Sequence, residues 1–303
     1  MCRCSPPASR AGSRPARPPR SPRSAEPPAT RRPRRRGRRP CRPIHDEHRP
    51  RPAPTMRVID LGADVDYALG IARMRDEMTR VDDDGPRLLL LEQRPTLTIT
   101  KKSGLQAFVT PRSDAEASGI AVVEADRGGD VTFHGPGQLT GYPLLRLGDT
   151  SLGGDVMGYV RALEAALAAA CRALGVDDAR GVPGRDAQGQ FLTGVWCDAP
   201  VVLDETLGCH FHQVERRPAK VCAIGVGLGG GVTRHGFALN VTTNLEAFTR
   251  HVVPCGLTGR GVTSLERVLP RAPSMARVKA VVVDAVVAHV APLHRPRSSS
   301  SST

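Results

Sequence analysis

Arg127-Gly128-Gly129-Asp130-Val131-Thr132-Phe133-His134-Gly135-Pro136-Gly137-Gln138-Leu139-Thr140-Gly141-Tyr142-Pro143 is the stretch on which the reading of this chain turns. Seven of its positions are Gly or Pro, yet an arginine, a histidine and a glutamine stand between them. Glycine at this density lets backbone approach a ligand closely, at a conformational-entropy cost that a plain loop has no reason to carry. The plain alternative is a hairpin of turns.

Outward from this run, strand-like and helical segments alternate. Residues 58–61 read as a short strand, and Asp64 as the cap of a helix whose apolar face is Tyr67, Ile71, Met74 and Met78. Strands are expected at 88–91, 120–123 and 142–147. An Ala-rich helix follows over about 155–174, stopped by Gly175. Further strands are expected at 192–197, 221–226 and 237–241, with a last helix over about 274–289. Short strands in mixed order with two or three helices predict a single α/β domain, a mixed β-sheet flanked by helices.

Two residues downstream carry chemistry. Cys255 lies in Val252-Val253-Pro254-Cys255-Gly256-Leu257, where the flanking proline and glycine suit a thiol held on a turn with little steric cover. Lys220 opens the strand-like run Lys220-Val221-Cys222-Ala223-Ile224-Gly225. A free thiol has a pKa of about 8.5, and a neighbouring cation lowers it to between about 3.5 and 7.5, which makes an acyl-accepting nucleophile. The plain reading of such a cysteine is an inert core residue.

The glycine-rich run resembles the most distinctive motif of the lipoyl(octanoyl) transferases: Arg-Gly-Gly, a Thr three residues on, His-Gly-Pro-Gly-Gln and Tyr-Pro. Further blocks match that family in order: Thr193-Gly194-Val195-Trp196; Lys220 to Gly225, then His235-Gly236-Phe237-Ala238-Leu239-Asn240-Val241; and Pro254-Cys255-Gly256 followed by Val262-Thr263-Ser264-Leu265. The resemblance spans roughly residues 56–290 and implies the biotin/lipoate protein ligase catalytic fold. It implies that Cys255 carries the acyl group as a thioester, and that Lys220 lowers the thiol pKa and serves as general base. The implied acyl site comprises Arg127, Gly128, Gly129, Asp130, Val131, Thr132, Phe133 and His134, with Ala223, Ile224, Gly225, Gly236, Phe237 and Ala238. His134 and His235 are candidates to assist. The implied donor is octanoyl acyl carrier protein. The implied acceptors are lipoyl domains of 2-oxoacid dehydrogenase complexes and the glycine cleavage H protein. Neither metal nor cofactor is expected, and no ATP.

The formal charge of +13 would by itself direct attention to nucleic acid. However, residues 1–55 hold 16 Arg against 3 acidic residues, which accounts for all of that charge, together with 14 of the 27 prolines. So apolar-poor a segment predicts disorder, as does the serine-rich tail at 292–303, leaving 56–291 as the catalytic domain. A nucleic-acid-binding arm, a targeting segment and translated sequence upstream of Met56 all fit the first segment; the last is favoured. Scattered cysteines and the lack of an apolar run of about 18 residues point to a reducing cytoplasm, without nucleic-acid or membrane partners.

Rival readings have their own residues. Gly225-Val226-Gly227-Leu228-Gly229-Gly230 satisfies a dinucleotide fingerprint in spelling, but a helix should open there and none is expected. Cys197, Cys209, His210 and His212 fit no common zinc spacing. An ATP-dependent lipoate or biotin ligase of the same fold, or an inactive paralogue that binds the carrier, remain alternatives. Departures from the family pattern include Gln93-Arg94-Pro95, the long 197–219 connection and the glycines of 227–231.

Overall fold

The computed structural model describes residues 55–101, 110–148, 155–185, 192–200, 216–251 and 261–295. The arginine-rich segment before Thr55, the tail after Arg295, Cys209-His210-Phe211-His212 and Cys255 lie outside the described residues.

The strands are β1 (Arg57–Asp60), β2 (Arg87–Leu91), β3 (Thr96–Ile99), β4 (Ala121–Glu124), β5 (Thr132–His134), β6 (Gln138–Leu144), β7 (Arg180–Gly181), β8 (Val195–Pro200), β9 (Arg216–Gly229), β10 (Val232–Asn240) and β11 (Gly261–Val262). The principal helices are α1 (Tyr67–Thr79), α4 (Val156–Ala173) and α7 (Met275–Val290); α2 (Val81–Asp84), α3 (Arg112–Ala117), α5 (Leu245–Thr249) and α6 (Leu265–Val268) are short. Among the described residues the main sheet runs β1-β2-β6-β10-β9-β8-β7, with β11 beside β9, and a smaller sheet runs β4-β3-β5. Pairing is parallel for β1 with β2, β11 with β9 and β3 with β4, and antiparallel elsewhere, so the sheets are mixed as expected.

Burial explains the layering. Residues of β2 and β6 are buried along their whole length, as strands covered on both faces must be. One face of the main sheet packs against α4 and α7, whose stripe Val278, Val282, Val286 and Val290 repeats every fourth residue. The other face is covered at its β2 and β6 end by Ile71 and Met74 of α1. The small sheet has its own core of Leu97, Val122, Val131 and Phe133.

The cap of α1 is Asp66, whose Oδ1 accepts from the N–H groups of Ala68 at 2.8 Å and Leu69 at 3.3 Å. The expected cap, Asp64, has φ +58 and pairs with Arg94 instead. Two strands extend beyond expectation: β9 begins at Arg216 and β10 at Val232. The strand expected at 142–147 starts earlier, as β6 over Gln138–Leu144, and its ladder with β10 stops at Gly141, short of Pro143, which has no N–H to donate. The fingerprint-like glycines continue β9 into a turn that leads directly into β10, with no helix.

Candidate active site

Alternation along three central strands builds the floor of a cleft. Leu139, Phe237, Leu239, Cys222 and Ile224 enter the core shared with α4 and α7. Their neighbours Thr140, Tyr142, Gly236, Ala238, Ala223 and Gly225 face the opposite side and line the cleft, with Arg127, Thr132, His134, His235 and Tyr67 around them. The cleft is narrow, its cavity about 30 Å³. Small residues are required on this floor: a Cβ on Gly225 would stand 2.7 Å from the Gly128 carbonyl oxygen, and one on Gly236 2.2 Å from that of Gly141.

Lys220 reaches this face because β9 is irregular. Val195 pairs with Cys222 but Trp196 with Lys220, so Val221 is the extra residue of a bulge. On a regular strand Lys220 would share the core face of Cys222 and Ile224; the bulge turns it onto the face of Ala223 and Gly225. Its ammonium then lies 4.8 Å from the centroid of the Trp196 ring, a cation–π distance. The lysine stem crosses Gly194, where a Cβ would come within 3.4 Å of Lys220 Cδ and Cε and 2.5 Å of the Cys222 carbonyl oxygen. Gly194 is itself held by its N–H donating to Glu164 Oε1 of α4 at 2.9 Å. Past the lysine, β11 pairs Val262 with Lys220, and Thr263 N–H donates to the Lys220 carbonyl at 3.0 Å.

The glycine-rich run divides into parts. Gly128 N–H donates to the Val226 carbonyl at 2.9 Å, laying the Arg127–Gly128 turn against β9. Arg127 ties that turn to β3, donating to Thr98 O at 3.0 Å and Thr98 Oγ1 at 2.6 Å. Gly129, at φ +88, takes a conformation suited to glycine. Thr132 to His134 form β5, a strand inside a run read as loop; Thr132 and His134 face the cleft while Val131 and Phe133 turn into the small-sheet core. Ile224 likewise faces the main core, so Val131, Phe133 and Ile224 shape the site from behind. Gly128, Gly129 and Asp130 belong to the connecting turn rather than to the cleft lining.

The state of His134 follows from its partners. Gln138 Nε2 donates to Phe133 O at 2.9 Å and Asn240 Oδ1 at 3.0 Å, which leaves Gln138 Oε1 to accept from His134 Nδ1 at 2.9 Å. His134 is thus the Nδ1–H tautomer with Nε2 as an acceptor. Burial, seconded by the Arg127 charge, pushes its pKa down to about 3, so it is neutral at physiological pH. The chain of bonds continues from Asn240 Nδ2 to the Thr263 carbonyl at 3.0 Å, beside Lys220.

His235, Tyr142, Thr140 and Tyr67 complete the lining; Tyr142 belongs to the Tyr-Pro of the glycine-rich motif, while Thr140 and Tyr67 carried no sequence signal beyond their strand or helix position. His235 is held at φ +57, and its Nε2 lies 2.6 Å from Asp126 Oδ1. Burial lowers the His235 pKa against the pull of Asp126. Partial burial works to raise Asp126, but the bond to His235 and the charges of His235 and Arg234 outweigh it and hold the carboxyl below its usual range. Three described thiols are unsuited to nucleophilic work: burial pushes Cys171 and Cys197 up to about 12 and Cys222 well above the ordinary thiol value.

The lipoyl protein ligase A/B catalytic domain matches residues 66–287, which takes in the cleft, Lys220 and β11. The chain belongs to this family. Its similar proteins include the octanoyltransferase of Chloroflexus aggregans, 42% identical over 195 residues, covering 64% of this chain and 76% of that protein. The octanoyltransferase of Mycobacterium leprae (strain TN) is 37% identical over 238 residues, covering 78% and 88%. Solved structures share the fold: lipoate-protein ligase A bound with ATP has TM-score 0.56 at 16% identity, covering 80% of this chain and 87% of that one. A bi-partite lipoate protein ligase from Thermoplasma acidophilum has TM-score 0.54, also at 16% identity, covering 80% and 87%. Among the described residues no helix is long and apolar enough to cross a membrane, and no group of His, Cys, Asp and Glu is arranged to hold a metal.

Proposed function

We propose that this octanoyltransferase-type enzyme moves an octanoyl group from acyl carrier protein to the lysine of a lipoyl domain through a thioester on Cys255. The observation that supports the reading is the bulge at Val221, by which Lys220 pairs with Trp196 and leaves the core face of Cys222, beside a strand floor of Ala223, Gly225, Gly236 and Ala238. In this reading the lysine supplies the cation, and the narrow floor of small residues opens to take an aliphatic chain. At about 0.8 kcal/mol per buried methylene, an eight-carbon chain gains roughly 5 kcal/mol there.

The protons balance with Lys220 alone. The resting pair is Cys255 thiolate and Lys220 ammonium. Cys255 Sγ attacks the donor thioester, the carbon–sulfur bond to the carrier breaks, and the departing thiolate takes a proton from Lys220. In the second half the neutral acceptor amine attacks the Cys255 thioester and gives a proton to the now neutral Lys220. The carbon–sulfur bond to Cys255 then breaks, which restores thiolate and ammonium. The donor is already an activated thioester, so the scheme needs no adenylate. Oxyanion donors are drawn from backbone near Cys255 or the glycine-rich run, but not from Gly128 or Gly137, whose N–H groups are bonded to Val226 O and Glu92 Oε2. Lipoyl domains of 2-oxoacid dehydrogenase complexes and the glycine cleavage H protein are the acceptors in this reading, and the cytoplasm its setting.

The test mixes the protein with octanoyl carrier protein and an isolated lipoyl domain in the absence of ATP. Acceptor mass should rise by one octanoyl group. Modification only with free octanoate plus ATP would identify a ligase instead.

A further inference from the structure

The side chain of Lys220 rests on a segment that is anchored by a residue the transfer scheme does not use. Glu164 is, among the described residues of α4, the one charged side chain that is buried, with 3% of its surface exposed. A carboxylate taken out of water is costly unless its oxygens are bonded, so the destinations of its bonds are informative. Oε2 accepts from Arg161 Nη1 at 2.5 Å, about one turn earlier on the helix, and that arginine is 38% exposed. Oε1 accepts from the Gly194 N–H at 2.9 Å, a buried bond that joins α4 to the residue before β8. Gly181 of β7 leaves room for the carboxylate, since a Cβ there would stand 3.2 Å from Glu164 Cβ and 3.3 Å from Oε2.

Gly194 stands between Glu164 and the lysine. Its amide is held by Glu164, and its Cα packs on the lysine stem, whose Cδ and Cε lie 3.3 and 3.4 Å from where a Cβ would be. Two residues on, the Trp196 indole N–H donates to the Leu192 carbonyl at 3.0 Å, which fixes the ring that faces the Lys220 ammonium. Segment 192–196 thus carries both surfaces against which the lysine rests, and Glu164 ties it to a long helix. We infer that Glu164 is a positioning residue: by holding the Gly194 amide it fixes the seat of Lys220 and, through the lysine, the reactivity of the acyl-accepting thiol. The inference rests on the transferase reading, in which Lys220 acts on Cys255. Reach rather than charge is what the role demands, because the Gly194 N–H needs an acceptor at this distance while the carboxylate charge is met by Arg161.

Three substitutions separate reach from charge. Glu164→Gln keeps an acceptor oxygen at the same reach, and the part-exposed Arg161 can turn to water. Glu164→Asp keeps the charge but falls short by one methylene, about 1.5 Å. Glu164→Leu removes the acceptor at similar volume. Alkylation of Cys255 by iodoacetamide against pH, and single-turnover acylation from octanoyl carrier protein, would be measured in each, with Lys220→Ala alongside. Lys220→Ala should move the alkylation midpoint up towards the free-thiol value of about 8.5. Glu164→Leu and Glu164→Asp should move it in the same direction and slow acylation several-fold, as follows from displacing a catalytic group by a fraction of an ångström, and Glu164→Gln should restore most of both. Added to Lys220→Ala, Glu164→Leu should shift the midpoint no further, because no lysine is left to place; a merely structural residue would add the same change in both backgrounds. Glu164→Asp is the informative variant if the leucine protein does not fold. Wild-type midpoint and rate in the folded aspartate or leucine protein overturn the inference. So does full additivity with Lys220→Ala, or the reverse pattern in which the glutamine protein fails and the aspartate protein does not. A Lys220→Ala protein with the wild-type midpoint defeats the transferase reading of the lysine, and the positioning role with it.

Discussion

Gly194→Ala probes the seat of Lys220 directly. Gly194 sits at φ +131, a backbone conformation essentially confined to glycine, where strain costs about 1–3 kcal/mol. The new methyl would lie 2.5 Å from the Cys222 carbonyl oxygen, a backbone atom of a central strand that cannot swing aside. Overpacking of this kind adds about 1–3 kcal/mol. The two together predict a loss of roughly 2–6 kcal/mol, which lowers Tm by about 4–24 °C for a domain of this size. The same methyl presses on Cδ and Cε of Lys220 at 3.3 and 3.4 Å, so the lysine stem must give by a few tenths of an ångström. With about 1 Å of misplacement of a catalytic group costing up to 100-fold, the proposed role of Lys220 predicts that transfer measured well below the new Tm falls several-fold. Differential scanning calorimetry and single-turnover acylation read the two effects separately. A Gly194→Ala protein with Tm within about 2 °C of wild type and full acylation rate would refute this account of the lysine's seat.

Three further outcomes follow from the geometry. His134 has a folded pKa of about 3 against an ordinary value near 6.5, so between those values the unfolded chain binds a proton that the folded chain refuses, and stability falls with falling pH. Urea unfolding should show a loss from pH 7 to pH 5 that is larger in wild type than in His134→Gln by about 2 kcal/mol, His235 and His294 contributing to both; equal losses would contradict the buried neutral ring. Arg87, fully buried and bonded to Glu77 at 2.6 Å, should cost about 3–5 kcal/mol when replaced by Met, with part of the loss recovered in Arg87→Met/Glu77→Leu, as read by denaturant titration. Lys220→Arg keeps a cation near Trp196 but supplies no base near neutral pH, so acyl-enzyme should accumulate while transfer to the lipoyl domain slows; normal turnover would limit the lysine to an electrostatic role.

Periodicity and punctuation made much of the fold legible. The helices α4 and α7 follow from their apolar stripes and from Gly175 and Ser274, and the buried run of β2 from four consecutive leucines. The glycines of the 127–143 run announced close backbone approach, and Gly128 against Val226 is such an approach. What stayed hidden depends on register and on distant pairing. A bulge at Val221 changes which face Lys220 occupies, and nothing in local composition encodes a one-residue slip. The strand β5 was masked by the glycines around it. His235 lies 109 positions from Asp126, so neither residue alone signals the pair, and the Tyr-Pro of the motif gives no hint that Gln93 stands behind Tyr142.

Whether Cys255 carries the acyl group is decided by peptide-level mass analysis of the protein after mixing with octanoyl carrier protein. The account predicts one octanoyl adduct, on the peptide containing Cys255, released by hydroxylamine and formed without ATP. The described thiols Cys171, Cys197 and Cys222, all raised by burial, should carry none. An adduct on Cys222 or Cys209, or a lipoyl domain fully octanoylated by a Cys255→Ser protein, would contradict it.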